Sequence, residues 1–170
     1  MRRCEKLAEY KEVIITDIIS ARKILIENRL LRNSEEIELF ENAIENILND
    51  ENYEDIKYLC EGFDDCTEDD EVMFGLVHAI ESYDSVYDVS VTMNEFVNSI
   101  PDVISYAKKW MKTMLKRILN DEHSRHVLNQ IISDCDDKVK TTVIRLLNEI
   151  SNENPERFKI SVSEVLLSVM

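Results

Sequence analysis

Apolar side chains recur every three to four residues along almost the whole chain, the period of an α-helix buried on one face. The first stretch predicts a long helix from about Glu5 to Leu31, with Leu7, Tyr10, Ile14, Ile18, Ala21 and Leu25 on one stripe. Ile15, Ile19 and Ile26 widen that stripe, so much of this helix is expected to be covered. Asn33-Ser34-Glu35-Glu36 reads as a start signal, with Asn33 capping and Glu36 reaching back. The helix it opens carries Ile37, Phe40, Ile44, Ile47 and Leu48. A shorter helix holds Ile56, Leu59, Cys60 and Phe63, with Gly62 near its end. Thr67 is expected to cap the next, which runs to about Tyr83 on Val72, Met73, Leu76, Val77 and Ile80.

Val86, Val89, Met93, Phe96, Val97 and Ile100 mark a further helix, which Pro101 is expected to end. The cleanest stripe follows: Val103, Tyr106, Ala107, Trp110, Met114, Leu115 and Ile118. Trp110 therefore reads as core. Two more helices carry Val127, Leu128, Ile131 and Ile132, then Val139, Val143, Leu146, Leu147 and Ile150. Asn154-Pro155 opens the last, because proline suits the first helical position. The sum is about eight or nine helices in one domain spanning residues 1–170, either an irregular HEAT-like α-solenoid or a compact bundle.

Composition agrees. Two glycines and two prolines among 170 residues are too few for the turns of a sandwich, a barrel or a glycine-rich nucleotide fold. A 44% hydrophobic content excludes a disordered acidic tail. No apolar run approaches the roughly 18–20 residues that cross a bilayer. The N-terminal residues lack the apolar core and cleavage site of a secretory signal, so a cytosolic protein is expected. Cys4, Cys60, Cys66 and Cys135 show no paired short spacing and read as free thiols, with no cofactor or metal implied.

The net charge of −15 is unevenly placed. Residues 33–100 hold 20 acidic side chains and one basic one, Lys57, whereas the flanking segments are close to balance. The densest run is Glu61, Asp64, Asp65, Glu68, Asp69, Asp70 and Glu71. Concentrated like charge opposes folding, so a field this lopsided suits capture of a basic partner. It also argues against direct contact with nucleic acid, which needs clustered Lys and Arg. The run is no EF-hand: counted from Asp64, the sixth position is Asp69 and the twelfth is Gly75.

Catalytic motifs are missing. His78 is expected to be half-buried and bonded to Glu81, and His123 and His126 to lie near the surface at a helix start. Arg117 and His123 have the R-x5-H spacing of HEPN-type ribonucleases, but Asn120-Asp121-Glu122 reads as a helix break between them. Gly75 lies within a helix, where it costs about 0.5–1 kcal/mol relative to alanine. A neighbouring helix or a partner's backbone is therefore expected to approach it.

The segment Asp69-Asp70-Glu71-Val72-Met73-Phe74-Gly75-Leu76-Val77-His78-Ala79-Ile80-Glu81-Ser82-Tyr83 resembles the signature of the immunity protein 30 family. Ala107 and Trp110, followed by Arg117-Ile118-Leu119-Asn120-Asp121-Glu122, form a second similar block, and the resemblance covers about residues 35–150. It implies an all-α, non-enzymatic immunity protein of a bacterial polymorphic-toxin or contact-dependent growth inhibition system. Such proteins bind the C-terminal domain of a cognate toxin in the cytoplasm. The charge pattern points to a basic nuclease as the expected toxin, with no direct contact to nucleic acid; a 1:1 complex and no membrane association are expected as well. The residues expected to meet it are Asp64, Asp65, Glu68, Asp69, Asp70, Glu71, His78, Glu81, Asp84 and Asp88. The alternative is a helical scaffold or regulatory adaptor with a concave groove.

Overall fold

A computed structural model of the chain describes residues 17–167. Cys4 and the expected start of the N-terminal helix, with Leu7, Tyr10 and Ile14, lie outside the described residues. Among the described residues there are eight α-helices and no strand. They are α1 (17–28), α2 (Ser34–Leu48), α3 (Ile56–Cys60), α4 (Asp70–Ser82), α5 (Val89–Leu119), α6 (Glu122–Asp134), α7 (Asp137–Glu153) and α8 (Pro155–Leu166).

Short polar side chains start most of them. Asn33 accepts the N–H groups of Glu35 and Glu36 at 3.0 Å each, while Glu36 accepts the N–H of Arg32 at 2.9 Å, one residue beyond the expected partner. Asn154 caps α8 with Pro155 in its first turn, as its sequence indicates. The start of α4 is a correction. Its cap is Asp69, which accepts from Glu71 and Val72, whereas Thr67 only receives the N–H of Asp69 at 3.5 Å.

Pro101 does not end its helix. It lies inside α5, which continues to Leu119, and the break falls at Ala107 with φ −128° and ψ 28°. Ile100 and Val103 are both buried on either side of the proline, so packing holds the axis across the missing N–H. At Ala107 another residue repairs the ladder. The N–H of Asp65 donates to the Tyr106 carbonyl at 2.8 Å, and its carboxylate accepts the N–H groups of Lys109 at 2.9 Å and Trp110 at 3.4 Å. Asp65 thereby acts as an internal cap for the second half of α5.

The helices form a bundle about α5 rather than a solenoid. A solenoid repeat touches only its sequence neighbours, but α5 packs against α3, α6, α7 and α8. Buried side chains make one continuous cluster running from Ala21 and Leu25 of α1 through Trp110 to Val165 of α8. Gly62 permits the closest approach: a Cβ there would stand 2.8 Å from Leu25 Cδ2.

Candidate functional site: the open face of α4

The acid-rich loop between α3 and α4 folds largely inward. Asp64 is 7% exposed, pairs with Arg29 Nε at 3.0 Å and caps the N–H of Cys66 at 2.9 Å. Arg29 also lies over the Tyr106 ring, 4.2 Å from its centre, and bonds the Glu61 carbonyl. Glu61 takes Arg22 in a fork at 2.5 and 2.8 Å, which holds that guanidinium in its charged form. These two contacts and the Asp65 cap engage Glu61, Asp64 and Asp65 of the acidic run within the fold. Part of the charge of residues 33–100 is answered by basic side chains of α1 and of the turn after it.

Beyond the loop the picture reverses. Asp70 pairs with Lys109 at 3.1 Å on the surface, Glu68 and Glu71 are exposed with no ion-pair partner among the described residues, and Asp69 is half-buried as the cap. Glu71, Phe74, Gly75, His78 and Glu81 then recur at helical spacing along one stripe of α4. Phe74 is 40% exposed and sets its edge on Trp110, with ring centres 5.2 Å apart. His78 is exposed rather than half-buried, with Nδ1 3.4 Å from Glu81 Oε2. Among the described residues no atom lies within 4 Å of where a Gly75 Cβ would stand, apart from its own helix and chain neighbours. No neighbouring helix among the described residues makes the expected approach, which leaves the partner's backbone as the other expectation. The stripe is an uncovered aromatic, a bare backbone and an imidazole in a row.

At its C-terminal end the stripe turns into a cleft of about 400 Å³ between α4, α5 and α6. Ile80, Met93, Phe96 and Met114 line its floor, with Glu81, Asp84 and Arg117 among the residues around it. Glu81 grips Arg117 through two bonds of 2.5 and 2.8 Å. That fork commits the arginine of the R-x5-H pair to α4, while His123 lies across the break between α5 and α6 on an exposed first turn. Asp84 accepts the Thr92 hydroxyl at 2.5 Å, and surrounding protein raises its carboxyl above the ordinary value despite the hydroxyl. Asp88 is spent as the cap of α5, bonding Ser90.

Cys60 is buried and its thiol is pushed up to about 12, Cys66 is exposed and Cys135 half-buried. Among the described residues no three His, Cys, Asp or Glu side chains stand together in a metal-holding group. No helix among them is long and apolar enough to cross a membrane.

One acidic feature escaped the sequence pattern. Asp55 is 4% exposed, and burial, reinforced by Asp50, pushes its carboxyl up to about 6. Its Oδ2 and the Tyr83 hydroxyl are buried with no hydrogen-bond partner. A raised carboxyl binds its proton more tightly folded than unfolded, so its contribution to stability is intact below about 4 and lost as pH rises through about 6. Asp55→Asn should remove that slope. Denaturant unfolding at pH 4 and pH 7 should show the variant gaining about 2 kcal/mol on the native chain between the two. Parallel curves would show that Asp55 ionises normally.

A helical bundle with one helix left open along its length, between an inward-folded acidic loop and a cleft, is the class that the fold and this face define. The chain belongs to the immunity protein 30 family, whose family model matches residues 27–128. The match begins at the end of α1 and stops within α6, so it starts earlier and ends sooner than the resemblance over 35–150. It contains all of α2 to α5, with α4 near its middle. Membership makes this an immunity protein and implies that it binds a cognate toxin. No curated protein and no solved structure matches the chain.

Proposed function

We propose that the chain neutralises a basic nuclease domain of its cognate toxin by docking it on the open face of α4, without catalysis of its own. The observation that carries this is Gly75. A glycine in a helix interior costs about 0.5–1 kcal/mol against alanine, and here no packing among the described residues repays it. What it provides is bare backbone between exposed Phe74 and His78, into which a partner can press closely.

Charge supports the same side. Among the described residues Glu68 and Glu71 have no ion-pair partner at the head of α4, and at its foot Asp84, bonded to Thr92, stands beside the Glu81–Arg117 pair. A nuclease collects Lys, Arg and His to hold phosphates, and carboxylates set in a row can stand in for that backbone. Such a field raises the encounter rate more than the final affinity. Binding in the cytoplasm, one immunity protein to one toxin domain, would then suffice to protect the cell.

Asp64, Asp65 and Asp69 are spent on the fold, so neutralising the whole acidic run would confuse docking with unfolding. Glu68→Gln with Glu71→Gln is the clean pair. Stopped-flow association with the toxin domain should slow about 10-fold at low salt, with a flatter salt dependence and unchanged helicity. An unchanged rate and salt slope would show these carboxylates to be only a solvated surface.

A further inference from the structure

The cleft at the foot of α4 has a chemistry of its own. Its floor is apolar and contains two methionines, Met93 and Met114, whose flexible thioethers adapt to an inserted group. Beside it stand two carboxylates in different states. Glu81 is already forked by Arg117. Asp84 has the Thr92 hydroxyl, and among the described residues no cation pairs with it. Asp84 is exposed at the rim, and the protein packed beside it, with the nearby Glu81 charge, raises its carboxyl.

These features select an occupant. An anionic group would meet both carboxylates. A purely apolar anchor would strip water from Asp84 and return nothing for it. A side chain with an apolar stem and a cationic fork satisfies floor and rim together, and arginine pairs with a carboxylate through two parallel bonds. We infer that the cleft takes an arginine side chain of the toxin, with its stem over Met93, Phe96 and Met114 and its guanidinium on Asp84. This rests on the toxin-facing role of α4 and names the group that the toxin contributes there.

Two measurements test it. The first needs no toxin: methyl spectra of the full chain titrated with Nα-acetyl-arginine amide, the neutral citrulline analogue and the norleucine analogue. The arginine amide should shift the Met93 and Met114 methyls saturably, the citrulline amide should not, and Asp84→Asn should abolish the effect. Equal shifts from citrulline or norleucine would make this an apolar slot, and no shift at either methyl would make it no side-chain site; either overturns the inference. The second is affinity for the toxin domain, which Asp84→Asn should lower at least 10-fold while keeping the acceptor for Thr92. If Asp84→Asn binds at full strength and Gly75→Leu does not, the arginine site falls and the α4 face stands. Full-strength binding by both removes both.

Discussion

Trp110→Ala should destabilise the protein by about 3–5 kcal/mol, the range for deleting a buried aromatic, and lower the melting temperature by about 10–15 °C. Trp110 is 1% exposed and lies where three parts of the fold meet. Its ring stacks on Phe63 with centres 5.7 Å apart and takes the edge of Phe74. Its indole N–H donates to the Asp64 carbonyl at 3.1 Å, and Lys109 lies over the ring. Truncation leaves a cavity, an unpaired carbonyl and a Phe74 with nothing beneath it. Toxin binding should weaken as well, because Phe74 loses the support that presents it. Trp110→Phe should recover most of the packing without the hydrogen bond. Calorimetry of the three proteins checks the order, and a Trp110→Ala variant that melts with the native chain would show that the α3–α4 loop does not depend on this ring.

Asp64→Ala should cost about 3 kcal/mol, because removing one member of a buried ion pair strands the other. The stranded group is Arg29, whose side chain is 22% exposed and packed on Tyr106. The N–H of Cys66 loses its acceptor at the same time. Replacing both partners, Arg29→Met with Asp64→Leu, should cost less than Asp64→Ala alone, since no buried charge is then left unmatched. Urea denaturation of the set decides it. A single variant with native stability would return Asp64 to the solvent-facing acids.

Local pattern made the helices legible because periodicity and caps are local properties. Asn33, the Asn154-Pro155 start and the burial of Trp110 all follow from neighbours within a turn or two. What eluded it depends on partners far along the chain. Asp64 and Asp65 resemble Glu68 and Glu71 in the sequence, yet their partners lie 35 and 44 residues away. The two glycines are the sharpest case: Gly62 is crowded by Leu25 and Gly75 by nothing, and only packing distinguishes them. Thr67 and Asp69 are both good caps, and the choice fell to the residue from which the chain enters α4 in an extended conformation. Pro101 was read as a stop because it removes a donor. Buried Ile100 and Val103 hold the helix through it, and the break falls at Ala107, where Asp65 bridges it.

At Gly75 folding and binding are expected to move in opposite directions. Open space around the missing Cβ means that Gly75→Leu should fold at least as well as the native chain, since a helix former replaces a glycine. The same side chain would stand between Phe74 and His78 and hold a docking surface off. Overpacking of an interface by such a group costs about 1–3 kcal/mol, a loss of roughly 5- to 150-fold in affinity. Titration calorimetry of native, Gly75→Ala and Gly75→Leu chains against the toxin domain, with melting curves alongside, gives the answer. An affinity that falls with side-chain size while thermal stability holds or rises is the predicted result. A Gly75→Leu chain that binds the toxin domain as tightly as the native one would contradict it, and would place the docking surface elsewhere on the molecule.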